Sequence, residues 1–216
     1  MPNENTNVVI LGGGFAGVYT AKYLEWVMRS AERNRIDVTL VNLENYIVFQ
    51  PLLPEVISGT IGTLHVISPI RRLAKRAHLH TRQIETVDLQ RKTVTLGPGF
   101  RPRTMELPYD HLVLSLGTKL NYGLVLGMQE HAIAFKYLGD AIRLRNAIVG
   151  VLEEADIEND PAEKRKLLTF VVAGSGCSGV ECIAELPCCL SRHSALFRAS
   201  YRHSRAAATP PRISAV

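Results

Sequence analysis

Two short runs of glycine carry the chemistry this sequence can do. The first is Gly12-Gly13-Gly14-Phe15-Ala16-Gly17, and the second is Gly174-Ser175-Gly176-Cys177-Ser178-Gly179-Val180-Glu181. Each follows an apolar, strand-like run and opens onto a helical pattern. In that setting G-x-G-x-x-G suits the diphosphate of a dinucleotide. The first glycine permits a tight turn, the second lets the backbone approach the phosphates, and the third lets the helix pack close against the strand. The helix N-terminus adds N–H donors and a partial positive charge. Gly12, Gly14, Phe15, Ala16 and Gly17 then meet one diphosphate, and Gly174, Gly176 and Gly179 meet another. The plainer alternative at each is a tight turn without a ligand.

Such a turn is completed by an acid at the end of the second strand, which holds a ribose hydroxyl. Here that strand is Asp37-Val38-Thr39-Leu40-Val41. Asp37 has about the right count but lies at the wrong end. The C-terminal end offers Asn42 and, after Leu43, Glu44, and the choice between them stays open. Cys177 and Cys182 make a C-x4-C spacing that resembles a redox pair. They read better as small, adaptable side chains within a glycine motif and its helix. His78, His80 and His111 form no metal-ligand grouping, and no side chain pairs as nucleophile and base.

The elements that must position these residues follow from periodicity. Asn7 to Leu11 is a β-branched, apolar run suited to a buried parallel strand. The helix after it sets Val18, Ala21, Leu24, Met28 and Ala31 on one face, and Lys22, Glu25, Arg29 and Glu32 on the other. Ala141, Ile142, Ile148, Val151, Leu152 and Ala155 mark a long connecting helix. Asp160-Pro161 starts a short helix that ends at Lys164-Arg165-Lys166, and Leu167 to Ala173 is a second buried-strand run. Arg71-Arg72-Leu73-Ala74-Lys75-Arg76 has the spacing of a solvated helix face.

Composition bounds the class. The 216 residues are 46% apolar, as in a globular protein. No apolar run reaches the roughly 20 residues a membrane span needs. The polar start, Met1 to Asn7, has no Lys or Arg and is no signal peptide, so a cytoplasmic location is expected. The net charge is +5, but Pro187 to Val216 holds Arg192, Arg198, Arg202, Arg205 and Arg212 and no acid. The body is therefore near neutral, and nucleic-acid binding is not expected. Pro187 falls inside the second glycine helix, where proline costs about 3 kcal/mol, and no period follows it. The expectation is a disordered, out-of-frame tail on a truncated sequence.

Further motifs narrow the field. Glu44-Asn45-Tyr46-Ile47-Val48-Phe49-Gln50-Pro51-Leu52-Leu53-Pro54-Glu55-Val56 resembles the flavin-side loop of type II NADH dehydrogenases, the single-subunit NADH:quinone oxidoreductases. The resemblance continues through Ile67-Ser68-Pro69-Ile70-Arg71 and the paired strands near 84–87 and 93–96. It takes in Tyr109 to Thr118 and Phe135-Lys136-Tyr137-Leu138-Gly139-Asp140, and covers about residues 7–186. Disulfide reductases of similar plan need a cysteine pair soon after the first motif, and no cysteine precedes Cys177.

The resemblance implies FAD at the first turn, with Gly117 on a second FAD-contact strand, and NADH at the second. Hydride would pass from nicotinamide to flavin and electrons on to a quinone, chemistry that belongs to the cofactors. Glu181 matches the acid of the family's G-x-G-x-x-G-V-E pattern. It either positions NADH or balances local charge, or it is an ordinary first-turn Glu favoured by the helix dipole. The implied fold is α/β: a Rossmann-like, three-layer FAD/NAD(P)-binding fold with a small antiparallel excursion at 84–110. The FAD segment takes 1–120, and the connecting helix and the start of an incomplete NADH domain take 121–186. The stretch 187–216 lies outside the family. The resemblance also implies a peripheral place on the cytoplasmic face of the inner membrane, with the family's membrane-binding region expected to be missing from these residues. Two functions stand against each other: the family's oxidoreductase activity, and a non-catalytic nucleotide-binding fragment, which is the expectation for these residues by themselves.

Overall fold

The computed structural model describes residues 5–28, 35–124, 126–174, 176–200 and 212–215. Arg29, Ala31, Glu32 and Ser175, and the tail between 201 and 211, lie outside the described residues. The chain divides into two compact units, Met1–Val48 with Ile67–Lys119, and Phe49–Val66 with Leu120–Val216.

In the first unit β1 (Thr6–Leu11), α1 (Phe15–Val27) and β2 (Ile36–Asn42) come first, followed by β3 (Tyr46–Val48). In the second unit α2 (Leu53–Ser58) fills the excursion that interrupts the first. The first unit resumes with β4 (Ile67–Pro69), α3 (Ile70–Leu73), β5 (His78–Thr81), β6 (Ile84–Asp88), β7 (Thr93–Leu96), β8 (Met105–Pro108) and β9 (His111–Leu114).

The first unit is built on a parallel sheet of order β5-β2-β1-β9. Along β1 the side chains alternate between two cores. Val8 and Ile10 pack with Val18 and Ala21 of α1, with Val38 and Leu40, and with Ile70. Val9 and Leu11 face the other way, onto Val94, Leu96 and Tyr109. Strands buried on both faces need continuous apolar sequence, which explains the unbroken run in β1. Each such side chain, fully buried, stabilises the fold by roughly 1.5–3 kcal/mol. The second core is covered by the antiparallel sheet β6-β7-β8, so the layers are helix, parallel sheet and antiparallel sheet, as the sequence implies. β3 and β4 form a separate antiparallel pair, and Ile47 of β3 joins the first core.

The second unit continues with α4 (Met128–His131), α5 (Leu138–Ile157), α6 (Pro161–Leu167), β10 (Thr169–Val172), α7 (Cys177–Ser200) and β11 (Arg212–Ala215). The N-terminus of α5 is held by Asp140, whose carboxylate accepts from the N–H of Lys136 at 3.0 Å and of Tyr137 at 2.8 Å. Asp160 caps α6 by accepting from Ala162 N at 2.8 Å, with Pro161 at the first helical position. Helix α2 packs against α5 and α7 and buries Leu53, Val56, Ile57 and Ser58. No helix among the described residues is long and apolar enough to cross a membrane.

The end of the chain differs from the sequence expectation. Helix α7 runs through Pro187 to Ser200 instead of stopping, and Arg212–Ala215 pairs in parallel with β10. Pro187 stands on the exposed side of the helix, while Leu186, Cys189 and Leu190 beside it are buried. A proline deletes one N–H and disturbs one carbonyl. Burial of its neighbours offsets that loss, a tertiary effect that helix periodicity does not carry.

Candidate functional site: two glycine turns

The first turn lies where β1 ends. Its neighbours end beside it, Leu11 being level with Val41 of β2 and Leu114 of β9. That places the turn at the carboxyl ends of parallel strands, on the strand with neighbours to either side, where open α/β sheets bind ligands.

Every glycine of this turn has a different reason to be glycine. Gly12 has φ +104°, and a side chain there would run into the Ser115 carbonyl. At Gly13 a Cβ would lie 2.7 Å from both Asn42 Cγ and Ile70 Cδ1. A Cβ on Gly17 would overlap the Gly12 carbonyl, so its absence lets α1 sit close against the strand end. Of the glycines in this turn, Gly14 faces open space, with no atom of the described residues within 4 Å of a Cβ.

The cradle opens at Gly14. It is the N-cap of α1, it offers no side-chain cap, and the first turn of the helix contains no acid. Gly14, Phe15 and Ala16 are exposed, while Gly12, Gly13 and Gly17 are buried. An uncapped helix start with its dipole unopposed suits an anion. Gly117, just beyond β9, has φ +73° and open surroundings.

Asn42 is drawn into the turn itself. Its Oδ1 accepts from Gly13 N at 2.9 Å, and its Nδ2 donates to Glu44 O at 2.9 Å. Glu44 is exposed; its charge, after the larger effect of burial, pushes the Tyr46 phenol above its ordinary range. Asp37 belongs to the far end of β2, where its Oδ2 accepts from Asn5 Nδ2 at 2.9 Å.

Two residues of this site escape a reading of the sequence. Gly13 sits at a position where the motif accepts any residue, and only the packing of Asn42 and Ile70 forbids a side chain. Ser115 is the other. Its Oγ lies 2.8 Å from Leu11 O and 3.0 Å from Gly12 O, donating to the carbonyls at the end of β1. A serine after a strand carries no signal by itself, so only the fold brings it to Gly12.

The second turn repeats the local geometry. Gly174 has φ +115°, and a Cβ on Gly179 would overlap the Gly174 carbonyl as Gly17 would overlap that of Gly12. A Cβ built on Gly174 or Gly176, however, would meet no atom of the described residues within 4 Å. Glu181 is the fifth residue of α7 and exposed, past the first turn, which holds no acid. The helix-dipole account of Glu181 therefore weakens, since that effect fades beyond the first turn. Cys177 is exposed and Cys182 buried, both as free thiols, and burial pushes the Cys182 thiol up.

The family described as pyridine nucleotide-disulphide oxidoreductase matches residues 6–203, which carries the likeness beyond the Leu186 limit expected from sequence. The chain is similar to the external alternative NAD(P)H-ubiquinone oxidoreductase B4 of Arabidopsis thaliana mitochondria, at 32% identity over 86% of this chain and 32% of that protein. It is similar to the type II NADH:quinone oxidoreductase NdhA of Mycobacterium tuberculosis, at 34% identity over 83% of this chain and 37% of the other. Among solved structures, NDH2 of Plasmodium falciparum in complex with NADH superposes with a TM-score of 0.77 at 26% identity. That match covers 89% of this chain and 39% of NDH2. The chain thus spans about a third of the length of these relatives.

Proposed function

The chain belongs to the pyridine nucleotide-disulphide oxidoreductase family, and from that premise we propose that it holds FAD at the first glycine turn and NADH at the second, as the nucleotide-binding part of an NADH:quinone oxidoreductase. The observation that carries the reading is the opening at Gly14. The backbone leaves room for a diphosphate there, and an uncapped helix start faces it. Bound at the two turns, the cofactors would supply the redox chemistry, hydride passing from nicotinamide to flavin and electrons on to a quinone.

The residues of this chain bind and orient. Phe15 and Ala16 present the first turn of α1 to the first diphosphate, and Gly117 leaves room along the end of β9. Because Asn42 already bonds Gly13 and Glu44, the exposed Glu44 carboxylate is the acceptor left for the ribose hydroxyls. Gly174, Gly176 and Gly179 play the corresponding part for NADH, with Glu181 on the exposed face of the helix that follows. Quinone use and a peripheral membrane placement belong to the same proposal.

Flavin content tests it. The purified chain should carry close to one FAD, read from visible absorbance before and after denaturation, and should reduce ferricyanide or a soluble quinone with NADH. No flavin, even after incubation with excess FAD, would overturn it. A second reading, nucleotide binding without turnover, is favoured by Val171 of β10, which is 61% exposed, and by a Cβ on Gly174 or Gly176 meeting no atom of the described residues within 4 Å. NADH-driven turnover well above that of free flavin would remove this second reading.

A further inference from the structure

The peptide group between Gly12 and Gly13 is held at both ends by side chains from opposite sides of β1. Its carbonyl oxygen, on Gly12, accepts from Ser115 Oγ at 3.0 Å, beyond β9, sharing that one hydroxyl proton with Leu11 O at 2.8 Å. Its N–H, on Gly13, donates to Asn42 Oδ1 at 2.9 Å, at the end of β2. Strands β2 and β9 are the two neighbours of β1 in the sheet. A peptide flanked by two glycines is the freest in any chain, because neither residue has a Cβ to restrict rotation. Left alone it would sample orientations that turn its carbonyl toward the open side at Gly14, where a negative end repels an anion. In the structure that carbonyl points inward, close to Gly17 and the Ser115 hydroxyl, and Gly12, Gly13 and Gly17 are buried.

We infer that Asn42 and Ser115 act together as a peptide clamp: they fix the Gly12–Gly13 peptide with its carbonyl inward and so preset the turn for a diphosphate. This rests on the diphosphate reading of the first turn, and it gives Asn42 a positioning role in place of a ribose contact. Neither side chain need touch the nucleotide. The clamp also accounts for a carboxamide at Asn42, since one side chain must accept from Gly13 and donate to the Glu44 carbonyl; a carboxylate does only the first.

The test compares the unsubstituted full chain with Asn42→Ala, Ser115→Ala and the double variant, using FAD, ADP and adenosine as probes. Each single change should weaken FAD and ADP by roughly three- to tenfold, the worth of one hydrogen bond. Adenosine, which has no phosphate, should be unchanged in Ser115→Ala and weakened less than ADP in Asn42→Ala, which also frees Glu44. The double variant should be little worse than the weaker single one, because either loss frees the same peptide. Equal weakening of adenosine would overturn the inference, since Asn42 would then be contacting the ribose or the pocket would have loosened as a whole. So would unchanged ADP affinity, or single effects that multiply in the double variant. Amide exchange at Gly13 in the ligand-free chain supplies a reading that needs no cofactor. Protection present in the unsubstituted chain and in Asn42→Asp but lost in Asn42→Ala supports the clamp, and equal exchange in all three overturns it. A clamp that passes by exchange in a chain that takes up no FAD or ADP would fault the proposed function alone.

Discussion

The two glycine turns share one local geometry and differ in everything around it. Gly12 and Gly174 both adopt left-handed φ, and in both turns the third glycine presses against the carbonyl of the first. The first turn is then enclosed by Ser115, Asn42 and Ile70, while a Cβ placed on Gly174 or Gly176 would meet no atom of the described residues within 4 Å. The strands that lead in differ the same way. The last four residues of β1 are buried, whereas β10 alternates between exposed and half-buried. A glycine pattern therefore specifies a turn and a helix start; the neighbouring strands make it a site.

Adding one methyl group to the first glycine of each turn should separate these contributions most strongly. Gly174→Ala meets only backbone strain, which costs about 1–3 kcal/mol at an unfavourable φ. Gly12→Ala meets the same strain and also the Ser115 backbone, where overpacking adds about 1–3 kcal/mol. Urea unfolding should show the larger loss for Gly12→Ala, together with loss of FAD. Equal losses would mean that the packing around the first turn contributes nothing beyond its dihedral angles.

The leading strands give the next contrast. Ile10 is fully buried, and Ile10→Ala should cost about 2–5 kcal/mol through lost transfer energy and the cavity left behind. Val171 is largely exposed, so Val171→Ala should stay within about 0.5 kcal/mol. A loss at Val171 comparable to that at Ile10 would show that β10 is covered in solution.

What could be read from the sequence divides along the same line. The β1 run, the turn residues, α5 and the Asp160-Pro161 start of α6 follow from period, capping and glycine spacing, all of which are local, while the strands near 84–96 are implied by the family resemblance. Three features are not local. Ser115 is distant in sequence from Gly12 and meets it only because β9 pairs with β1. The loop at Gln50–Val56, notable in sequence for its resemblance, folds in part into α2 and joins the second unit by packing on α5 and α7. The helix persists through Pro187 because Leu186, Cys189 and Leu190 are buried. Asn42 stands between these cases: its position marked it as a candidate, but its partner Gly13 emerges only from the folded turn.

A smaller effect, on binding, separates the two ligand assignments. Gly14 has the extended backbone of an N-cap (φ −77°, ψ −167°) and room for a side chain. Gly14→Asp should therefore cap α1 and leave stability unchanged or slightly raised. Its carboxylate would stand where the FAD diphosphate is proposed, so FAD should weaken by about tenfold or more at low salt. Gly176→Asp should weaken NADH and spare FAD. If Gly14→Asp binds FAD as well as the unsubstituted chain does, the diphosphate does not lie at this turn.

The smallest difference should appear in how the two units respond to pH. In the first unit, burial and then the charges of Arg82, His78 and Arg71 lower His80 below its ordinary value of 6.5. The unfolded chain then binds the proton more readily, so this contribution to stability is present above about pH 6.5 and is lost as pH falls. In the second unit burial raises the thiols of Cys182 and Cys189 above their ordinary 9.0. Their contribution is present below about pH 9 and is lost as pH rises, because the unfolded chain gives up its protons first. Melting temperatures across pH 5–7 should therefore flatten in His80→Gln and keep their alkaline decline. Across pH 8–10, Cys182→Ala should reduce that decline and leave the acid side as it was. His80→Gln with an unchanged acid slope would remove this imidazole as the source, and the acid sensitivity would then have to come from carboxylates spread over both units.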